Sequence, residues 1–164
     1  MIVIVFGVSG AGKTTIGKLL AQELAWHFIE ADDFHPETNI EKMRSGQALT
    51  DDDRSPWLQR LRDEIERSFA ARENAVLACS ALKRKYRDVL RVSSEVKFVF
   101  LRGYYALIEN RLRQRRGHFM NPELLRSQFT DLEEPKADED VLTVELGRSP
   151  QEIVEEIKAK LAQI

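Results

Sequence analysis

An α/β sandwich of three layers, with helices on both faces of a central, mostly parallel five-stranded sheet, is the fold this sequence predicts. Two observations predict it. Apolar runs of strand length alternate with stretches of helical periodicity along the 164 residues, and a glycine-rich turn joins the first run to the first helix. A chain of this length is near the usual size of one domain, read here as 1–164, and 43% hydrophobic with 32% charged residues is the composition of an ordinary folded protein.

IVIVF (2–6) is a continuous β-branched and aromatic run, the pattern of a strand covered on both faces. Ile16, Leu19, Leu20 and Leu24 then recur at helical spacing across 13–24, directly after the glycine turn. Residues 27–30 predict a second short strand. WLQRLRDEIERSFA (57–70) places Trp57, Leu58, Leu61, Ile65 and Phe69 on one helical face, with Ser55 and Pro56 as its expected N-cap and first helical residue. AVLAC (75–79) reads as a strand, KRKYRDVLRV (83–92) as a helix and VKFVFL (96–101) as a strand. Residues 105–115 and 122–132 read as helices, VLTVEL (141–146) as a strand, and Ser149-Pro150 opens a last helix with Ile153, Val154, Ile157 and Leu161 on one face. The polar region from His118 to Pro135 is the expected mobile excursion.

A formal charge of −2 provides no global field to recruit nucleic acid or an anionic membrane, so any phosphate-binding charge has to be a local cluster. No run of eighteen apolar residues is present, and MIVIVFGVSG lacks the basic region of a leader. Cys79 is the only cysteine, which excludes an internal disulfide and suits a reducing compartment, so the expected location is cytoplasmic.

GVSGAGKT, Gly7 to Thr14, matches the phosphate-binding pattern G-x-x-x-x-G-K-[ST] at every fixed position and lies between a strand and a helix, where the chemistry requires it. Backbone N–H groups from Gly7, Val8, Ser9, Gly10, Ala11, Gly12, Lys13, Thr14 and Thr15 would cradle phosphates; Lys13 would reach the β and γ groups, and Thr14 would place a hydroxyl on Mg²⁺. The expected fold is thus that of a P-loop NTPase. A GTPase should carry an N-K-x-D guanine motif and a D-x-x-G switch, and neither occurs. A nucleotide-powered binding or motor module would usually end an apolar strand in a magnesium-binding Asp, whereas AVLAC runs into Ser80. A small-molecule kinase needs an acceptor pocket, a carboxylate base and arginines over the phosphates.

Candidates for those parts are present. EADDFHP (30–36) follows the second strand, and in a parallel sheet the C-terminal ends of adjacent strands share one crevice with the P-loop. If the segment stays extended, Glu30 and Asp32 point the same way, one to help hold magnesium and the other to take a hydroxyl proton. His35 is held out of helical geometry by Pro36. TDDDRSPWL sets acids at a helix start, where they serve partly as caps, and Arg54 beside them could grip a substrate carboxylate in bidentate fashion. Ser80, Lys83 and Arg87 follow the third strand into the same crevice. Cys79 is disfavoured as a nucleophile, since phosphoryl transfer needs no thiol. In ENRLRQRRGH, Arg111 and Arg115 would share a helix face and could close over ATP; single-stranded RNA contact is disfavoured by the scarcity of aromatics nearby.

Together, GVSGAGKT, ADDFHPETNIEKMRSGQALTDDDRSPWL, CSALKRKYRDVLR and GHFMNPELLRSQFTDLEEP resemble the gluconokinases, P-loop kinases related in fold to shikimate and nucleoside monophosphate kinases. The likeness spans residues 5 to about 139. It implies a helical lid near 111–130 and transfer of the γ-phosphoryl group of ATP to the 6-hydroxyl of D-gluconate, giving 6-phosphogluconate. It also implies Mg²⁺ dependence, a cytosolic setting and a homodimer. By the same likeness Asp32 is the base and Lys13 acts on the phosphates. Arg54, Lys83 and Arg87 are the candidates for the gluconate carboxylate and hydroxyls, with His35 and His118 as further contacts, and Arg111 and Arg115 become lid arginines. Glu30 stands where the family often has Asp, and Ala48 where it often has Pro, a change expected only to loosen a loop. The alternatives are a kinase of a related sugar acid or hydroxy acid and, in a different class, a nucleotide-regulated binding module.

Overall fold

The structure, a computed structural model, describes residues 1–115 and 122–164. Five parallel strands form the sheet in the order β2-β3-β1-β4-β5: β1 (Ile2–Phe6), β2 (His27–Glu30), β3 (Ala75–Cys79), β4 (Val96–Arg102) and β5 (Val141–Glu145). Seven α-helices among the described residues flank it: α1 (Lys13–Leu24), α2 (Glu37–Arg44), α3 (Asp51–Ala70), α4 (Arg84–Leu90), α5 (Tyr105–Gln114), α6 (Pro122–Asp131) and α7 (Pro150–Leu161).

Strand alternation creates the layers. In β1, Ile2, Ile4 and Phe6 face a core shared with Trp57, Leu61 and Ile65 of α3 and with Tyr86 and Leu90 of α4. Val3 and Val5 face the other side, against Ile16 and Leu20 of α1 and Ile153, Val154 and Ile157 of α7. All five β1 side chains are fully buried, as a central parallel strand requires. No helix among the described residues is long and apolar enough to cross a membrane.

The chain leaves β1 toward β2 and β3 on one side, then crosses to β4 and β5 on the other, so the strand order reverses between β3 and β1. A crevice opens at such a point, outside the C-terminal strand ends.

Three local expectations need correction. Residues 31–34 are not extended: β2 stops at Glu30 and Ala31–Phe34 form a 3-10 turn, closed by the Trp57 indole N–H donating to Ala31 O at 2.7 Å. Helix α3 begins at Asp51, not Pro56, because Thr50 and Asp53 form a reciprocal capping box, each side chain bonding the other's backbone N–H at 3.1 and 2.9 Å. Pro56 is accommodated inside the helix, on its exposed face. Helix α2 was not anticipated: its eight residues carry only Ile40 and Met43 as large apolar groups, too few to show a period. The last helix starts as expected, with Ser149 capping Glu152 N–H and Pro150 in the first turn.

Candidate active site

The P-loop runs from β1 into α1. Gly12 caps the helix at φ +90°, and Gly10 adopts φ +81° under α5, where a Cβ would lie 2.9 Å from Leu112 Cγ. Both positions need glycine, one for its left-handed backbone and the other also for the close approach. The first N–H groups of α1 lack intrahelical partners and carry the positive end of its dipole, which makes an anion cradle. Lys13, the first helical residue, donates to Val8 O at 2.9 Å. Burial lowers its pKa, partly opposed by the field of Asp32, with which it lines one cavity.

Two cavities flank this loop. The first, about 150 Å³, opens between the P-loop, the 31–49 segment, α3, the β3–α4 turn and α6, and Lys13, Asp32, His35, Arg54, Ser80 and Gln128 line it. The second, about 300 Å³, lies on the other side, lined by Gly10, Gly12, Thr15, Arg111, Arg115 and Arg148. One cavity has a carboxylate, an imidazole and a guanidinium facing a lysine; the other has three arginines around the start of α1.

In the first cavity the 3-10 turn, rather than an extended strand, delivers Asp32. Thr14 Oγ1 donates to Glu30 Oε2 at 2.5 Å, and burial raises the Glu30 pKa, partly offset by that bond. The His35 ring stacks on Trp57 at 4.4 Å between centroids and 11° between planes. Asn39 Nδ2 donates both to Asp53 O at 2.8 Å and to His35 Nδ1 at 3.2 Å. Because an amide nitrogen only donates, Nδ1 is the acceptor and Nε2 carries the proton. Burial pushes the His35 pKa down, with Asp32 opposing and Arg54 reinforcing, so the ring is neutral and offers one N–H. Arg54, nearly buried, donates through Nη1 to the Tyr86 hydroxyl at 3.0 Å and to Asp131 at 3.1 Å.

Not every residue expected in the crevice enters it. Arg87 is wholly buried and all its donors are taken: Nε and Nη2 bond Glu139, Nη1 bonds Ala81 O and Leu82 O, and Nη2 also bonds Glu133 O. No N–H remains for a substrate; the side chain instead clamps the β3–α4 turn, where Ala81 sits at the left-handed φ of +37°. Lys83 does not line the first cavity; it bonds Asp51 at 2.9 Å and lies 3.9 Å from Asp131. Cys79 is buried with its pKa pushed up to about 12 by burial, an inert thiol. His118 lies outside the described residues. Arg115 caps α5 in an extended conformation rather than continuing the helix, yet it shares the second cavity with Arg111.

Several lining residues carried no sequence signal. Trp57 sits at a helix position that reads as core, and Tyr86 falls in the helix read over 83–92 with nothing to set it apart. Met43 and Gln47 come from the unanticipated α2 and the loop after it, and Ala48, expected only to loosen that loop, is part of the wall. Gln128, Asp131 and Arg148 reach the sites from elements remote in sequence.

A magnesium ion arriving with a nucleotide fits the chemistry here. The Thr14 hydroxyl and the Glu30 carboxylate could supply it with one or two hard oxygens, and no cluster of three or more His, Cys, Asp or Glu among the described residues suggests a resident metal.

Comparison with known proteins agrees with this geometry. A shikimate kinase family model matches residues 9–162. The gluconokinase of Gluconobacter oxydans is 46% identical over 155 residues, covering 94% of this chain and 87% of that protein. The crystal structure of a gluconokinase from Sinorhizobium meliloti superposes with a TM-score of 0.89 at 43% identity, over 98% of this chain and 91% of that one. Shikimate kinase from Aquifex aeolicus, at 18% identity and a TM-score of 0.63 over 99% of this chain and 97% of its own, shares the fold. With a matching P-loop and near-full-length identity above two fifths, this chain belongs to the gluconokinase family of shikimate kinase-like P-loop kinases.

Proposed function

We infer that the protein catalyses ATP-dependent phosphorylation of gluconate, at its 6-hydroxyl, giving 6-phosphogluconate and ADP. The observation that carries this reading is the first cavity, which sets Asp32 and Lys13 at the phosphate end beside Arg54, a cation suited to a carboxylate. The relatives named above supply the identity of the acid.

The division of labour follows from the chemistry of each group. The P-loop amides and Lys13 hold the β and γ phosphates, and Arg111 and Arg115 enclose the nucleotide from the second cavity. Asp32 accepts the proton of the 6-hydroxyl as its oxygen bonds to phosphorus and the bond to the β-phosphate oxygen breaks, leaving ADP. Arg54 takes the gluconate carboxylate, and His35 Nε2–H donates to a hydroxyl of the chain. Thr14 and, through water, Glu30 would hold a Mg²⁺ ion arriving with ATP, which would supply charge neutralisation for the phosphates. Lys83, one ion pair removed from Arg54 through Asp131, tunes that anion site rather than contacting substrate. A cytoplasmic homodimer accompanies this reading by family likeness, and light scattering in solution tests it.

ADP release measured with ATP against a panel of aldonic acids and short hydroxy acids tests the substrate. Gluconate is expected to be turned over best, with phosphorus at C6 of the product by NMR. Equal turnover of several acids would instead mark a broader sugar-acid kinase, and none with any acid would mark a nucleotide-binding module.

A further inference from the structure

Gln128 bridges the two halves of the site. It projects from α6 into the wall of the acceptor cavity, and its Oε1 accepts from both the Ser9 backbone N–H at 3.1 Å and the Ser9 hydroxyl at 3.3 Å. A backbone N–H only donates, so the contacting atom has to be the amide oxygen, and the orientation of the carboxamide is fixed. Its Nε2 amino group is left with two N–H donors and no bonded acceptor among the described residues.

The helix that presents it is well anchored. Leu125 is buried, Phe129 packs on Tyr105, Asp131 pairs with Arg54, and Glu133 N–H donates to Leu82 O at 2.9 Å. Gln128 is therefore held between the phosphate loop and the cavity it lines, half-buried, with its amino group free of protein acceptors among the described residues.

We propose that Gln128 is a specificity residue that reads the hydroxyl neighbouring the phosphorylated one, the 5-hydroxyl of gluconate, by donating Nε2–H to its oxygen. The tie to Ser9 explains why it reads this end of the molecule: Ser9 belongs to the phosphate loop, so the amide lies beside the reacting carbon rather than beside the carboxylate held by Arg54. An acceptor without a hydroxyl there leaves the amide unpaired, which a site built to bond a hydroxyl penalises. The proposal rests on the gluconate reading above.

The test compares kcat/KM for gluconate and its 5-deoxy analogue in the intact protein, in Gln128→Leu and in Gln128→Glu. Gln128→Glu retains an oxygen for Ser9 while replacing the amino group. The intact protein is expected to disfavour the 5-deoxy analogue by about 10- to 100-fold. In both variants gluconate should lose a similar factor, while the analogue changes by less than about threefold in Gln128→Leu, the two losses being coupled as groups in contact are. Equal losses on both substrates would reduce Gln128 to a tie for the P-loop, as would near-normal gluconate turnover in Gln128→Glu; either result overturns the proposal. An intact protein that fails to turn over gluconate overturns the parent reading instead.

Discussion

Asn39 decides the state of His35. By donating to Nδ1 it leaves the proton on Nε2, and burial between Trp57 and the cavity disfavours the imidazolium. With the folded-state pKa below the ordinary 6.5, the unfolded chain takes the proton first, so this contribution to stability is complete above pH 6.5 and is lost as the pH falls toward the folded value. Thermal unfolding followed from pH 7.5 to 5.5 should therefore fall more steeply in the native protein than in His35→Gln. Parallel profiles would show that His35 is not the group responsible. Arg54 is expected to act on binding rather than chemistry: Arg54→Ala should raise the KM for gluconate by roughly 10-fold or more, as loss of a charge-assisted bond of about 1.5–3 kcal/mol implies, with a smaller effect on kcat. Of the groups that line the first cavity, Asp32, His35 and Arg54 stood out in the sequence because each breaks a local pattern: acid after a strand, imidazole before proline, cation among capping acids. Gln128 broke no pattern; an amide in a polar helix carries no sign of its partner 119 residues away.

Among the elements, the β3–α4 turn illustrates how a strand-end position can mislead. Arg87 follows the third strand as an active-site cation would, but on α4 it faces inward and bonds Glu139 and three carbonyls. Sequence position names the element end and not which way the helix turns its side chains. Removing one partner of a buried pair leaves the other charge uncompensated, so Arg87→Ala should cost about 3–5 kcal/mol of stability in denaturant titrations. A variant that unfolds like the native protein but loses gluconate affinity would restore Arg87 to the substrate site. Helix α3 carries the complementary lesson. Its apolar period marks the body from Trp57 onward, whereas its true start is set by Thr50 and Asp53, whose carboxyl is held down to about 2 by the Thr50 backbone N–H and Lys42. In the sequence Pro56 is the stronger apparent start signal, but the capping box outweighs it.

At the scale of the whole molecule, one cavity lies on the β2–β3 side of the P-loop and another on the α5–α7 side, and the proposed function assigns the acceptor to the first and the nucleotide to the second. The five strands were readable because buried parallel strands announce themselves as apolar runs; their order in the sheet was not, since apolar runs carry no record of their neighbours, nor were the walls of the cavities, which are assembled from helices far apart in sequence. The proposed metal role of Thr14 and Glu30 predicts that a chelator abolishes turnover and that added Mg²⁺ restores it, since a hydroxyl and a carboxylate can hold a cation but cannot themselves neutralise the phosphates. The nucleotide assignment also predicts that ATP slows hydrogen exchange in α5 and the first turn of α1, whose residues line the second cavity; exchange indifferent to nucleotide would place ATP elsewhere. The central claim is that the carboxylate delivered by the 31–34 turn takes the proton from the gluconate hydroxyl. Steady-state turnover of gluconate by Asp32→Asn tests it most directly: kcat should fall by about 10² or more, with the KM for ATP little changed, whereas near-normal kcat in that variant would contradict the account.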